Sequence, residues 1–456
     1  MTPTMKSLDV IIIGAGIAGL STAIALRRVG HHVKVFEQSS FADEVGAAIQ
    51  LPPNAMRILV KWGFLRDRAR LELCGAALTA RADTLEPLYK GSFSDFTDKY
   101  GSMWYSSHRV DLHNELKLLA TQEDASGKPV EIHLASKVVD IDPNAGIITL
   151  ADGSIHAGGL IVAASGIHTT FLSLVLPPGQ DITPVSTGTS AFRFLIPTSD
   201  LLPNDEIAPF MKEPGIKIFV GQGSKRLVWY PCRGGEVQNF VGIHPDEEQR
   251  SEGCPILRYQ YGTYYINETK DTLTEMMGKT DFHASSSREY LLETYKEFSP
   301  VLLRVMEKAK IVKLWPLLHR APLRSWHTGR LIFIGDAAHP MLPHQGQAGA
   351  QAIEDACALG LLFEDVGPED VSARLKLYEK VRMGRAGAVQ VFSRFGQDQA
   401  DRVKQEVEMI EGWKGVVPAN IGEFHDWNFS WDVYSECQRV LDEERLEKGN
   451  EEDKSK

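Results

Sequence analysis

Two textures of apolar residues divide the chain. After Asp9, Val10-Ile11-Ile12-Ile13, and further on Leu160-Ile161-Val162-Ala163-Ala164, are continuous apolar runs, the pattern of parallel strands covered on both faces. From about Pro184 the apolar positions alternate instead, over Ala191 to Ile196, Lys217 to Val220, Arg226 to Tyr230 and Glu236 to Ile243. That spacing predicts a second, mostly antiparallel domain. Strands between Leu73 and Trp104 leave the first domain, and a helical stretch from Ser286 to Lys310 closes the second.

After the first run, glycines at 14, 16 and 19 open a helical segment that ends near Gly30. Val33 to Phe36 then reads as a second strand with Glu37 at its end. Strand, glycine turn, helix and acid together predict a dinucleotide cradle. Gly14 permits the tight turn, Gly16 lets backbone approach a pyrophosphate, Gly19 lets the helix pack on the strand, and Glu37 is placed for a ribose hydroxyl. The alternative is a strand-turn-helix whose glycines serve packing alone. The small-residue loop Glu44 to Asn54, followed by a helical pattern through Trp62, suits either a flat ring system or a plain connector. Arg109 starts an amphipathic helix and can reach a phosphate or ribityl oxygen, or join an exposed ion pair.

Val130 to Leu134, Lys137 to Ile141 and Ile147 to Leu150 read as a small antiparallel ribbon with a turn at Asp152-Gly153. The run from Leu160 returns beside the first strand and ends in Ser165-Gly166. Pro255 to Tyr265 has no regular pattern. Arg330 to Pro340 is a strand that brings Asp336 to its C-terminal end, where open α/β sheets bind ligands. The turn Gln345 to Ala350 precedes a helix over Gln351 to Phe363; helical patterns run from Val371 through Trp413, and the tail from Glu447 is charged and frayed.

At 456 residues, the length predicts two domains plus an appendage. A net charge of −11 gives no basic excess to replace phosphate counterions, which argues against a nucleic-acid partner. The five cysteines, Cys74, Cys232, Cys254, Cys357 and Cys437, are scattered, suit a reducing compartment and carry no metal-ligand spacing. The first apolar run is broken by Asp9 and glycines, unlike a secretory signal, and no other stretch is long and charge-free enough to span a bilayer. The expectation is a cytoplasmic protein, monomer or homodimer, without a transmembrane segment.

The combination of Gly14-Ala15-Gly16-Ile17-Ala18-Gly19 with Glu37, the Gly-Ile-His turn at 166 to 168, Gly335-Asp336-Ala337-Ala338-His339-Pro340 and Gln351-Ala352-Ile353-Glu354-Asp355 resembles the single-component FAD-dependent aromatic hydroxylases. It looks most like their salicylate-hydroxylase-like branch, common in fungal catabolism and secondary metabolism, over roughly residues 8 to 400. The resemblance implies an α/β fold of the p-hydroxybenzoate-hydroxylase kind: a Rossmann-like FAD-binding domain, a mostly antiparallel β-sheet substrate domain and C-terminal helices. The expected divisions are 1–183 with 318–370 for FAD, 184–317 for substrate, and 371–456 for the helical region with its charged tail.

By that resemblance the cofactor is FAD, held by Gly14, Gly16, Ala18, Gly19, Glu37, Ala48, Arg109, Asp336, Gly346, Gly349 and Ala350. Glu37 would take the adenosine ribose, Asp336 the ribityl chain, and the helix beginning near Gly346 would aim its N-terminus at the flavin pyrimidine edge. NAD(P)H would be the reductant and O2 the oxidant, with a phenolic substrate hydroxylated through a flavin C4a-hydroperoxide; dearomatisation or decarboxylation are among the outcomes. Ser165 stands where the family usually has aspartate, the arginine usual soon after is absent from Thr169 to Val175, and Ala48 and Ala348 stand where glycine is common.

Arg193 has aromatic and aliphatic neighbours in sequence and is costly to bury without an anionic partner; Tyr230 ends a strand facing the same cavity. Relatives that hydroxylate phenols with loss of aromaticity hold the phenolate with an arginine and a tyrosine in matching motifs, which assigns catalytic roles to Arg193 and Tyr230. A surface arginine beside a half-buried tyrosine is the alternative. His339 belongs to the flavin motif and reads as packing, His344 is open, and Arg233 most simply stabilises a turn. Two further readings stand beside the hydroxylase: an epoxidase of an alkene or terpenoid, and a non-catalytic flavin-fold binding protein.

Overall fold

The two unbroken runs lie side by side at the centre of a six-stranded sheet. In the computed structural model its order is His327–Thr328, Leu331–Phe333, Leu160–Ala163, Asp9–Ile13, His32–Phe36 and Glu131–His133. All neighbours are parallel except the first pair. The structure describes residues 6–41, 47–177, 183–212, 214–246, 256–259, 262–265, 284–394, 400–410 and 412–454. Ile12 pairs with Val35 on one side and Val162 on the other, and all three are buried. Helices cover both faces of such a sheet, so its central strands carry no polar alternation. The segment expected in the ribbon, Val130 to Leu134, instead supplies the edge strand Glu131–His133. The ribbon is Val138–Asp142, Ile147–Leu150 and Ile155–Ala157. A three-residue strand is too short for its pattern to tell the two sheets apart.

The helix Ile17–Arg28 lies against the first strand and against the helix Ala348–Leu362. Both approaches need glycine. A Cβ on Gly19 would stand 1.9 Å from the Gly14 carbonyl oxygen, and one on Gly360 would stand 3.0 Å from Ala25 Cβ.

The second sheet has eight strands, in the order Ala284–Ser286, Val312–His319, Val185–Pro197, Val237–Pro245, Arg226–Cys232, Gly215–Val220, Ala76–Arg81 and Pro87–Ser92. It is antiparallel except between Gly215–Val220 and Ala76–Arg81. Phe192, Phe194, Trp229 and Phe240 on one face pack with Leu291, Leu302 and Val305 of the covering helices. Those helices are two, Arg288–Thr294 and Pro300–Met306, where the periodicity predicted one stretch. Ser299 caps the second and Pro300 begins it, a combination that starts a helix and so divides the stretch. The other face turns toward the first domain: Ala191, Val241, Ile243 and Leu317 cluster with Leu342, and Tyr230 and Cys232 with Ala48. Part of the irregular stretch after Pro255 is a pair of short strands, Ile256–Tyr259 and Gly262–Tyr265; the rest of it, and Cys254, lie outside the described residues.

C-terminal helices Val371–Phe392, Ala400–Glu408, Ile421–Ser430 and Val433–Lys454 complete the chain. The tail expected to fray from Glu447 continues the last helix to Lys454. Pairs such as Arg439 with Glu443 and Lys448 with Glu444 support that helix at i,i+4 spacing.

One buried network ties these helices to the first domain. Arg382 donates from Nε to Asp355 Oδ1 at 2.8 Å and from Nη1 to Glu354 Oε2 at 2.6 Å. Arg385 Nε reaches Glu354 Oε2 at 2.7 Å, and Arg385 Nη2 reaches the Asn428 carbonyl at 2.9 Å. Asn54 donates to Glu354 Oε1 at 2.7 Å. The second Asp355 oxygen accepts from the Gly335 amide at 2.9 Å and lies 2.7 Å from His339 Nε2, which fixes the loop that carries Asp336. Burial pushes both carboxyl pKa values up, but the facing cations and hydrogen bonds outweigh it and hold them below the ordinary range.

Removing one member of a buried ion network leaves its partner uncompensated. Asp355→Asn should therefore lower unfolding free energy by about 3–5 kcal/mol in urea denaturation; a loss under about 1 kcal/mol would contradict the network's role. The unfolded chain takes up protons on these carboxyls at higher pH than the folded chain does. Their contribution is complete above about pH 5 and declines as pH falls below about 4, so the urea midpoint should drop there and stay flat between about pH 6 and 8.

Candidate active site

The glycine turn and the loop of Asp336 come together at the C-terminal ends of the central strands. Gly14 has φ +100°, and a Cβ on it would stand 2.6 Å from the Ala164 carbonyl oxygen. Gly16 caps the helix Ile17–Arg28 with no side-chain acceptor, no acid occupies the first turn, and a Cβ on Gly16 would meet nothing within 4 Å. The helix thus presents its free N–H groups to open space, as an anion requires. Ala18 faces Gly335, whose added Cβ would lie 2.9 Å from the Ala18 methyl.

Glu37 accepts from the Ala15 amide at 2.8 Å through Oε2 and from the Ser39 amide at 2.8 Å through Oε1. Both bonds hold the carboxylate beside the glycine turn. Arg109 is the first residue of the helix Arg109–Thr121; its amide donates to the Ala47 carbonyl at 2.9 Å and its side chain is exposed. Asp336 is open to solvent while protein surrounds its carboxylate, which puts it on the wall of a cleft. Burial raises its pKa; His339, Arg109 and Arg320 oppose that shift. Arg109 is therefore near enough to act on the Asp336 carboxylate. Arg320 supports the loop, donating from Nη2 to the carbonyls of Asp336 at 3.1 Å and Ala337 at 3.0 Å.

The turn before the helix Ala348–Leu362 completes this wall. Gly346 has φ +61°, Gln347 caps the helix without a side-chain bond to it, and the first turn carries no acid. Gly349 lies against Ile49, and Ala350 is buried. Two free helix N-termini, a carboxylate at the second strand, a carboxylate in the cleft and a bordering arginine match the polar groups of a flavin dinucleotide: pyrophosphate, ribose, ribityl chain and pyrimidine edge. The residues present fit FAD.

Arg193 is on the sheet face that looks into this cleft. Its guanidinium carbon lies 4.6 Å from the centroid of the Trp315 ring, its Nε is buried without a hydrogen bond, and it forms no salt bridge among the described residues. Burial lowers its pKa, the nearby Tyr230 counters that, and Arg109 adds to it. Tyr230 donates from its hydroxyl to the Ala48 carbonyl at 3.2 Å. Burial raises the Tyr230 pKa against the opposing charge of Arg193, so the phenol stays protonated. Ala48 is thus engaged by the substrate sheet through both backbone groups, its amide donating to Asn239 Oδ1 at 3.1 Å.

Other residues singled out in the sequence fall elsewhere. Arg233 does more than stabilise a turn: it holds Asp111 at 2.9 and 3.0 Å and so links the second sheet to the helix Arg109–Thr121. His344 sits on the short turn Pro343–Gln345, where burial and then Arg226 lower its pKa to about 4 and keep it neutral. The buried network and Gln50, considered below, escaped sequence reading. A separate cleft of about 380 Å³, lined by Arg57, Lys61, Lys99, Trp431 and Tyr434, has its cations already engaged. Arg57 donates to the carbonyls of Tyr100, Phe429 and Trp431, Lys99 pairs with Asp426, and Lys61 covers the Tyr434 ring. No helix among the described residues is long and apolar enough to cross a membrane.

Comparison with known proteins agrees with this geometry. Residues 9–49 match a family model of FAD-dependent oxidoreductases, and residues 287–393 match one described as an FAD-binding domain. The FAD-dependent monooxygenase phomE' of Diaporthe leptostromiformis is 34% identical over 411 residues, covering 89% of this chain and 96% of that one. The hispidin-3-hydroxylase of Neonothopanus nambi is 30% identical over 458 residues, covering 96% and 97%. A salicylate hydroxylase in complex with substrate superposes with a TM-score of 0.70 at 22% identity, covering 95% and 98%. With that fold, this cradle and these relatives along nearly its whole length, the chain belongs to the FAD-dependent monooxygenases of the salicylate-hydroxylase type.

Proposed function

We propose that this monooxygenase uses NAD(P)H and O2 to hydroxylate an anionic aromatic substrate, a phenolate or enolate, whose oxygen sits on Arg193. The observation that carries this reading is a half-buried arginine on the cleft face whose Nε is shielded from water and unbonded, with no acidic partner among the described residues. An uncompensated cation in a dry site demands an anion. A neutral alkene would leave that charge unpaired, so epoxidation fits the cavity less well. A relative named as a 3-hydroxybenzoate 6-hydroxylase, 26% identical, supports a hydroxylated aromatic ring as the substrate class.

FAD would be held with its pyrophosphate at Gly14, Gly16, Ala18 and Gly19, its ribose at Glu37 and its ribityl chain at Asp336. Arg109 would reach the phosphates or ribityl oxygens, and the turn Gly346 to Ala350 would meet the pyrimidine edge. When bound, FAD supplies the chemistry of taking two electrons from NAD(P)H and activating O2. The chain's residues do the rest. Arg193 stabilises the deprotonated substrate, whose negative charge raises ring electron density at the carbon to be attacked. Tyr230, kept protonated by burial, is the neutral donor beside it and can turn from the Ala48 carbonyl to the substrate oxygen. Val241, Ile243, Leu317 and Leu342 wall the site with apolar surface, which excludes water and strengthens the pairing with Arg193.

Arg193→Met should leave FAD bound and raise the Kd of 4-hydroxyacetophenone by about ten- to a hundredfold, read from the perturbation of the flavin absorption; an unchanged Kd contradicts the assignment. Glu37→Ala should weaken FAD itself by about tenfold or more, read by flavin retained on dialysis, and full retention would remove Glu37 from the cofactor site.

A further inference from the structure

Gln50 is a buried carboxamide for which neither the cofactor cradle nor the anion site accounts. It lies on the strand Ala48–Leu51, is 7% exposed, and its amide is shielded from solvent beside the Tyr230 hydroxyl, a contact that leaves at least one of Oε1 and Nε2 without a partner. A buried amide atom left so is unfavourable until a partner arrives. Its surroundings say from which side. Along the strand, Ile49 points to Gly349 on the helix, while Ala48 and Gln50 share the opposite face, where Ala48 packs with Tyr230. The Gln50 stem rests against Gly346, whose added Cβ would lie 3.2 Å from both Gln50 Cβ and Cγ. The amide extends toward the Tyr230 hydroxyl, close enough to act on its ionisation, as Arg193 does from another side. Gln50 and Arg193 thus flank the same hydroxyl. The Nδ2 of Asn239, 1% exposed on the neighbouring strand, is a third polar atom there without a partner.

We propose that Gln50 is a specificity-determining residue that reads a second oxygen, a hydroxyl or carbonyl next to the oxyanion held by Arg193, so that the preferred substrates are ortho-oxygenated phenolates or the equivalent enolates. This rests on the anionic-substrate reading above. A carboxamide offers a donor and an acceptor together, so it serves either a hydroxyl or a carbonyl, whereas a substrate with one oxygen leaves it buried and unpaired. The Tyr230 hydroxyl beside its amide, on the second sheet, favours the substrate as its partner.

The test is equilibrium titration of the FAD-loaded protein with 4-hydroxyacetophenone and with 3,4-dihydroxyacetophenone, which differ by one ortho hydroxyl, followed by flavin absorption. Wild type should bind the dihydroxy compound at least about tenfold more tightly. In Gln50→Leu, and in the closer-sized Gln50→Met, that ratio should fall to near one, with the Kd of the monohydroxy compound within about twofold and FAD content unchanged. An unchanged ratio in either folded variant overturns the inference, as does loss of FAD with the ratio kept, which would assign Gln50 to the cofactor. If wild type binds neither compound, the anion site on Arg193 fails and this inference fails with it; binding of both with no preference overturns this inference alone.

Discussion

Everything near the cleft depends on charges that cancel inside the protein. Glu354 and Asp355 on one helix face Arg382 and Arg385 on another, and all four are buried. Two carboxylates and two guanidiniums leave no net charge, so the network tolerates a dry environment that any single member would not. Its spare hydrogen bonds leave the network at chosen places. Asp355 reaches the Gly335 amide and His339, Glu354 reaches Asn54, and Arg385 reaches Asn428. Parts of the chain 300 residues apart are therefore held in one register.

The contrast with Arg193 is the chemical point. Arg382, fully buried, is bonded to both carboxylates of the network, whereas the half-buried Arg193 has no acidic partner among the described residues. Arg193, left against Trp315, is therefore the residue proposed to take an anion from outside. Tyr230 lies beside that charge with Gln50 at its hydroxyl, and the apolar residues Ala191, Val241, Ile243 and Leu317 of the second sheet cluster there with Leu342. The free N-termini of the helices Ile17–Arg28 and Ala348–Leu362 belong to the same logic on the cofactor side, since each offers partial positive charge where a flavin dinucleotide carries negative charge.

Much of the cofactor side was legible in the sequence because its requirements are local. A glycine whose Cβ would strike a backbone oxygen, as at Gly14 and Gly19, has no substitute, and an acid at a strand end is a fixed distance from the turn. The alternation around Arg193 also predicted which face it occupies. The ion network was not legible, because Arg382 and Arg385 read as ordinary charges on an amphipathic helix and their partners lie 27 to 31 residues away. Two arginines at i,i+3 spacing after an adjacent acid pair were the available signal. Gln50 was hidden for another reason: one glutamine in a loop of small residues shows its isolation only when its neighbours are in place. The edge strand Glu131–His133 and the final helix were misread because short or highly charged segments carry little periodicity.

The account's central claim is that one flavin lies between the turn Gly346 to Ala350 and the cations of the substrate sheet. A crystal structure of the protein grown with FAD tests it most directly. The account predicts one FAD per chain, its ribose on Glu37, its ribityl chain on Asp336 and its ring opening onto the cavity of Arg193 and Tyr230. A chain that takes up no FAD, or binds it with the ring turned away from Arg193, would contradict it.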